Sequence, residues 1–99
     1  MSEIPGLPQV KDYLKELEIE RGKVYGDPLG SHENIGLSWT GLIQQHYGIT
    51  LPHPLPAHMV AQMMVAFKNQ RSCRVFKQDN YDDLNVYADF AERFQQGKP

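Results

Sequence analysis

The sequence lacks the features that stabilise small secreted proteins and anchor membrane proteins. Cys73 is the single cysteine among 99 residues, so no internal disulfide can form. A chain of this length can instead bury roughly two-thirds of the surface that its unfolded form exposes. There is also no signal segment and no apolar run of the about 18 residues that cross a bilayer. We therefore expect one helical domain, residues 1–99, in a cytoplasmic setting, with no membrane contact and with residues 1–7 and 96–99 as disordered tails.

The sequence also has no large excess of either charge. Ten Lys and Arg residues stand against twelve Asp and Glu residues, for a formal net charge of −2. These charges are spread along the chain and predict no basic face that would follow a phosphate backbone. Duplex nucleic acid is therefore not expected as a partner. A small anionic ligand stays open, because it needs only a local cluster of Arg and Lys.

The most specific stretch runs from Arg21 to Trp39 and reads R-G-K-V-Y-G-D-P-L-G-S-H-E-N-I-G-L-S-W. Glycines recur here every four residues, and Pro28 fixes the backbone φ angle and cannot donate a hydrogen bond. Such a composition is typical of a shaped turn. The stretch therefore predicts a turn between two helices, the second of which is capped by Asp27 or Ser31.

Apolar residues recur at helical spacing in four segments. The first helix is predicted at about 8–22, the second from the cap to Gly48, the third from Pro56 to about Val75, and the fourth after a break at 76–78. The proline-rich segment 49–56 is predicted to be an extended connector. The predicted inward stripes are Val10, Tyr13, Leu14 and Leu17; Ile35, Trp39, Leu42 and Ile43, with His32 and His46; Val60, Met63, Met64 and Phe67; and Leu84, Tyr87, Ala88, Ala91 and Phe94. The pattern predicts an all-α fold, a compact four-helix antiparallel bundle.

Polar residues interrupt the stripes of the third and fourth helices. Arg71 falls near the centre of its stripe, Asn80 is nearly central on the next, and Asp83 lies at the border. Because the break between these helices is short, Arg71 and Asp83 are predicted to meet. One interpretation is an ion pair that fixes the register of the hairpin. The other is a pocket in which cations hold phosphate oxygens and carboxylates hold a divalent ion.

Three motifs together resemble a known family. These are R-G-K-V-Y-G-D-P-L-G-S-H-E-N-I followed by a Trp, then M-M-V-A-F-K-N-Q-R, then D-N-Y-D-D-L-N-V-Y. In order and spacing they resemble a small domain of unknown function carried mainly by bacteriophages. That domain is similar to the all-α nucleoside triphosphate pyrophosphohydrolases of the MazG and dUTPase-like group. The resemblance implies a MazG-like bundle that binds Mg²⁺ through carboxylates, cleaves between the α and β phosphates, and builds its sites across subunit interfaces.

The resemblance also implies a set of site residues. The family's E-E-x-x-E motif has no counterpart here, whereas its second acidic motif matches Asp79, Asp82 and Asp83, and the second helix offers Glu33 alone. This favours nucleotide binding over magnesium catalysis. The predicted metal ligands are Asp79, Asp83 and Glu33. The predicted nucleotide-binding residues are Arg21, Lys23, Tyr25, His32, Trp39, Lys68, Arg71 and Asn80.

Three functions remain open from the sequence. The first is a phage enzyme that hydrolyses a nucleoside triphosphate with Mg²⁺, in the host cytoplasm. The second is a non-catalytic module that sequesters or senses a nucleotide or another small phosphorylated ligand, with Trp39 or Tyr25 as an aromatic wall, and so acts on host or defence signalling. The third is a helical protein-interaction module. A homo-oligomer is also expected, because Leu37, Tyr47 and Met59 are poorly placed for burial in a bundle of this size.

Overall fold

The computed structural model of the protein describes residues 14–16 and 27–99, and these residues form helices and loops without a strand. Residues 14–16 are helical (α1), and three longer helices follow: α2 (Pro28–Tyr47), α3 (Ala57–Arg71) and α4 (Gln78–Gln95). The prediction of an all-α bundle is confirmed. Apart from residues 14–16, the first predicted helix lies outside the described residues, as does the predicted tail 1–7.

Local chemistry explains where α2 begins and ends. The Asp27 carboxylate accepts a hydrogen bond from the backbone N–H of Gly30 at 3.0 Å, and Pro28 occupies the first helical position, where its missing N–H is not needed. Asp27 rather than Ser31 is thus the cap. Gly48, with φ of 63°, ends the helix as predicted, in the left-handed region that favours glycine.

The core lies between α3 and α4, on which α2 rests. It contains Ala61 of α3 and four residues of α4, and the half-buried side chains of Leu14, Leu29, Ala57 and Tyr87 pack against it. The four core residues of α4 are Val86, Phe90, Ala91 and Phe94. The predicted stripe of α4 is therefore correct at Ala91 and Phe94 and wrong at Ala88, which is exposed.

The inward face of α2 differs from the predicted one. Its buried residues are His32, Gly36 and Thr40, whereas Leu42 and His46 are exposed. Gly36 is needed because a Cβ atom at this position would overlap the carbonyl oxygen of Leu55. The helix can approach the 49–56 connector this closely only where it carries no side chain.

Thr40 binds the same connector through its hydroxyl group. Its Oγ1 atom donates to the Gly36 carbonyl at 2.7 Å and accepts from the backbone N–H of Leu55 at 2.8 Å. The Gln44 side chain accepts from the N–H of Leu51 at 2.9 Å. The connector contains neither helix nor strand, and these bonds to α2 satisfy two of its backbone donors.

The predicted inward face of the third helix, α3, is also partly wrong. Val60 and Ala61 are buried and Met64 is half-buried, but Met63 and Phe67 are exposed. The helix ends at Arg71 rather than near Val75, and a turn over residues 72–77 leads into α4. This turn makes α3 and α4 a hairpin, as predicted from the short break.

Candidate functional site

A groove of about 560 Å³ runs along the N-terminal half of α2. Its lining residues recur at intervals of three and four, the spacing that places side chains on one helix face. This face lies beside the buried face formed by His32, Gly36 and Thr40. The described residues that line the groove are Asp27, Gly30, Ser31, Asn34, Ile35, Ser38 and Trp39.

The groove combines an apolar wall with small polar groups. Ile35 and Trp39 are one turn apart and half-buried, and Ser31, Asn34 and Ser38 add two hydroxyls and an amide. The amide can donate and accept hydrogen bonds, and each hydroxyl can do both. Among the described lining residues there is one carboxylate, Asp27, and no cation. The groove can therefore hold a flat polar group against the indole.

His32 belongs to the core and does not line this groove. Only 5% of its surface is exposed, and its ring centroid lies 5.4 Å from those of Phe90 and Phe94 and 5.8 Å from that of Tyr87. Its Nδ1 atom is 2.7 Å from the Pro28 carbonyl oxygen. Because a carbonyl oxygen can only accept a hydrogen bond, Nδ1 carries the proton and donates it. Burial lowers the pKa of this imidazole, against the smaller opposing effect of the Pro28 carbonyl. The expected inward position of His32 is confirmed, and the ring is held there as a neutral core group.

The predicted contact between Arg71 and Asp83 does not form. Asp83 pairs instead with Lys68, whose Nζ atom lies 2.9 Å from Oδ2, and the side chains of Lys68 and Asp83 are only 14% and 19% exposed. Arg71 is exposed, with its guanidinium 5.6 Å from the centre of the Phe67 ring. Asn80 is buried, as predicted from its place on the stripe. The inward cation of the hairpin is therefore Lys68, and the pair supports the interpretation as a register-fixing contact.

The three predicted metal ligands do not form a metal-binding group. Glu33 and Asp79 are exposed, and the Asp83 carboxylate already binds the Lys68 ammonium. Within residues 14–16 and 27–99 there is no group of three or more His, Cys, Asp or Glu side chains that could hold a metal ion. A magnesium ion needs several oxygen ligands, so the described carboxylates do not fit one.

Of the remaining predicted nucleotide-binding residues, Trp39 lines the groove, whereas Arg21, Lys23 and Tyr25 lie outside the described residues. Ser31, Asn34 and Ser38 were not predicted as site residues, although their spacing could have identified them. They recur every three to four residues beside Trp39, as the polar edge of one helix face.

Comparison with known protein families assigns the chain to one family. A family model described as a domain of unknown function, DUF6378, matches residues 10–95. The protein belongs to this family. The match spans α2, α3, α4 and the groove, so the DUF6378 domain accounts for nearly the whole chain. No curated protein and no solved structure matches it.

Among the described residues, none of the helices combines the length and the apolar character that crossing a bilayer requires.

Proposed function

We propose that this protein binds a nucleotide, with the base and ribose in the groove along α2 and without hydrolysing it. The observation that carries the proposal is the groove itself, whose about 560 Å³ falls within the range of small-molecule sites and which has the Trp39 indole as a wall. The sequence resemblance to nucleotide-handling domains supports the same class of ligand.

Each part of the groove has a role in this proposal. The Trp39 indole stacks on the face of the base. The Asn34 amide, a donor and an acceptor, bonds the edge of the base, and the hydroxyls of Ser31 and Ser38 bond the ribose. The Asp27 carboxylate already accepts from the N–H of Gly30, and its other oxygen is an acceptor for a ribose hydroxyl.

The phosphates require cations, which the segment before the groove provides. Arg21 and Lys23 precede Asp27 by six and four residues. Lys68 is the weaker candidate, because its charge is neutralised by Asp83.

The magnesium-dependent pyrophosphohydrolase that the resemblance implies is not the function we put first. Such an enzyme activates water on a metal held by several carboxylates, and no described group of carboxylates fits that ion. The bacteriophage setting, the MazG-like ancestry and a role in host or defence signalling rest on the resemblance alone, whereas the proposed cytoplasmic location rests on the single cysteine.

The third open function, an interaction module that assembles with itself, has separate support. Leu37, Tyr47 and Met59 are all exposed, in line with the expectation that they are poorly placed for burial. Apolar side chains of this size at the surface favour association. Sedimentation at micromolar concentration tests this proposal, and a strict monomer of 11.3 kDa would count against it.

Trp39 makes nucleotide binding directly measurable, because it is the only tryptophan in the chain. We expect adenosine, AMP and ATP to quench its fluorescence in a saturable way, with ATP binding most tightly, whereas inorganic triphosphate leaves the emission unchanged. Asn34→Ala should weaken binding of all three by about tenfold, the effect of one good hydrogen bond. Leu37→Ala, an exposed residue of α2 outside the groove, should have no effect.

The same titration separates the open functions. Absence of quenching by any of the three compounds at millimolar concentration, with or without Mg²⁺, would end the nucleotide proposal. If the protein releases pyrophosphate from ATP and this release requires Mg²⁺, the function is that of the hydrolase and not of the non-catalytic binding module.

A further inference from the structure

The distribution of acidic residues is uneven in a way that the near-neutral net charge hides. From Asn34 to Gln78 the chain contains no Asp or Glu at all. Within that stretch four of the ten cations fall in ten residues, at Lys68, Arg71, Arg74 and Lys77. Residues 57–77, which are α3 and the turn that follows it, therefore carry positive charge without a carboxylate, and the next carboxylate is exposed Asp79 in the first turn of α4.

The same end of the molecule exposes aromatic rings. Phe76 is 70% exposed, Phe67 48% and Tyr81 42%. The Phe76 and Tyr81 rings lie side by side, 5.9 Å apart and tilted by 30°. Phe residues are usually buried, so exposed rings grouped with cations indicate a binding surface.

Local structure brings these groups to one end of the hairpin. α3 ends at Arg71, where the Ser72 N–H bonds the Lys68 carbonyl at 3.1 Å and the Ser72 hydroxyl bonds the Asn69 carbonyl at 2.8 Å. The chain then turns through residues 72–77 and enters α4 at Gln78. The ion pair of Lys68 with Asp83 joins the two helices directly behind the turn. We call this surface the aromatic-basic end and define it by Phe67, Arg71, Arg74, Phe76, Lys77 and Tyr81.

We propose that the aromatic-basic end binds single-stranded nucleic acid. Unpaired bases can stack on the exposed rings, and the phosphates between them can pair with Arg71, Arg74 and Lys77. The Arg71 guanidinium, 5.6 Å from the Phe67 ring centre, offers a second flat surface for a base. The proposal does not depend on the groove along α2.

The chemistry of the surface favours this occupant over two others. A duplex keeps its bases stacked and hidden from the rings, and the three cations cover too little backbone for tight duplex binding. An acidic peptide could pair with the cations but offers few flat groups for three exposed rings. Single strands use both features at once.

The test is fluorescence anisotropy with a fluorescein-labelled dT12 oligonucleotide and the full chain. With three phosphates neutralised, the logarithm of the affinity should fall with the logarithm of salt concentration at a slope of about −2, or about 20-fold between 50 and 200 mM. Replacing Arg71, Arg74 and Lys77 together by Gln should abolish most of that slope. Phe76→Ala should weaken binding by about tenfold at every salt concentration, since stacking is not screened.

Matched variants and competitors make the outcome decisive. Lys98→Gln and Tyr47→Ala change an exposed cation and an exposed ring elsewhere, and should leave the affinity within about twofold of the parent protein. Unlabelled dT12 should compete at least tenfold better than a twelve-residue poly-Glu peptide or a duplex of equal length. Equal competition by poly-Glu would show that the surface binds acidic polymers in general and would overturn the proposal. Unchanged dT12 affinity in Phe76→Ala would also overturn it. If the parent protein does not bind dT12 while nucleotides still quench its Trp39 fluorescence, this proposal is overturned and the proposed function stands.

Discussion

The Nζ atom of Lys68 lies 2.9 Å from Oδ2 of Asp83, and this ion pair joins α3 to α4 at the turn end of the hairpin. Both side chains are more than four-fifths buried. A partly desolvated pair of this kind contributes little net energy while it is intact, but removing one partner leaves a charge that water reaches poorly.

Lys68→Met is therefore expected to lower the free energy of unfolding by about 2 kcal/mol, between the values for exposed and fully buried pairs. The double variant Lys68→Met with Asp83→Leu should lose less stability than the sum of the losses in the two single variants, because these two side chains interact. Arg71→Met is the matched control, because Arg71 is exposed on the same helix, and it should change stability by less than about 0.5 kcal/mol. Urea denaturation of the parent, Lys68→Met, Asp83→Leu and the double variant measures the cycle, with Arg71→Met as a fifth protein for control. A loss in Arg71→Met equal to that in Lys68→Met would restore Arg71 as the inward cation.

Two glycines of α2 should respond in opposite directions to alanine. At Gly36 the new Cβ atom meets the Leu55 carbonyl oxygen, so the connector must move, and a loss of about 3 kcal/mol is expected. At Gly41 no atom lies within 4 Å of the new Cβ, and the substitution should raise stability by about 0.5 to 1 kcal/mol. Thermal unfolding followed by circular dichroism distinguishes the two. Equal effects at both positions would mean that the connector does not rest on Gly36.

The Thr40 hydroxyl should matter more than its methyl group. Thr40→Val keeps the shape but leaves the N–H of Leu55 without its acceptor, at an expected cost of about 1 to 3 kcal/mol. Thr40→Ser keeps the acceptor and should cost less than Thr40→Val. Denaturant unfolding gives both values, and amide hydrogen exchange at Leu55 should speed up only in the Val variant. If Val is tolerated better than Ser, packing rather than hydrogen bonding holds the connector.

Stability should fall as the pH falls, in part through His32. Burial among Tyr87, Phe90 and Phe94 lowers the pKa of its imidazole below the ordinary 6.5. Between the two pKa values the unfolded chain binds more protons than the folded one. The stability due to neutral His32 is therefore fully present above pH 6.5 and is lost as the pH falls through the lower pKa of the folded protein.

This loss can reach about 1.4 kcal/mol per pH unit for one proton. His32→Phe, which suits the surrounding rings, should flatten the curve of unfolding free energy between pH 7 and pH 5. His53→Gln, an exposed histidine of the connector, should leave the fall in place. An equal slope in the parent and in His32→Phe would assign the pH dependence to other groups.

The two ends of α2 were predictable because they depend on neighbouring residues in the chain. The Asp27 side chain, the fixed φ angle of Pro28 and the left-handed conformation of Gly48 act over three or four residues, and all three could be interpreted without knowledge of the fold. The same holds for the place of Trp39 on the half-buried face of α2 and for the burial of Asn80, which both follow from helical spacing.

The inward face of each helix depended on what packs against it. Periodicity predicted Leu42 and Phe67 as core residues and Arg71 as the buried cation. In the structure the backbone of the connector packs against Gly36 and Thr40, and α3 turns Ala61 and Lys68 inward beside the predicted Val60. Charge alone could not decide between Lys68 and Arg71, since they are three residues apart on one helix. That choice was made by the position of Asp83 across the hairpin, because an ion pair requires both partners within a few ångströms and only the packed structure sets that distance.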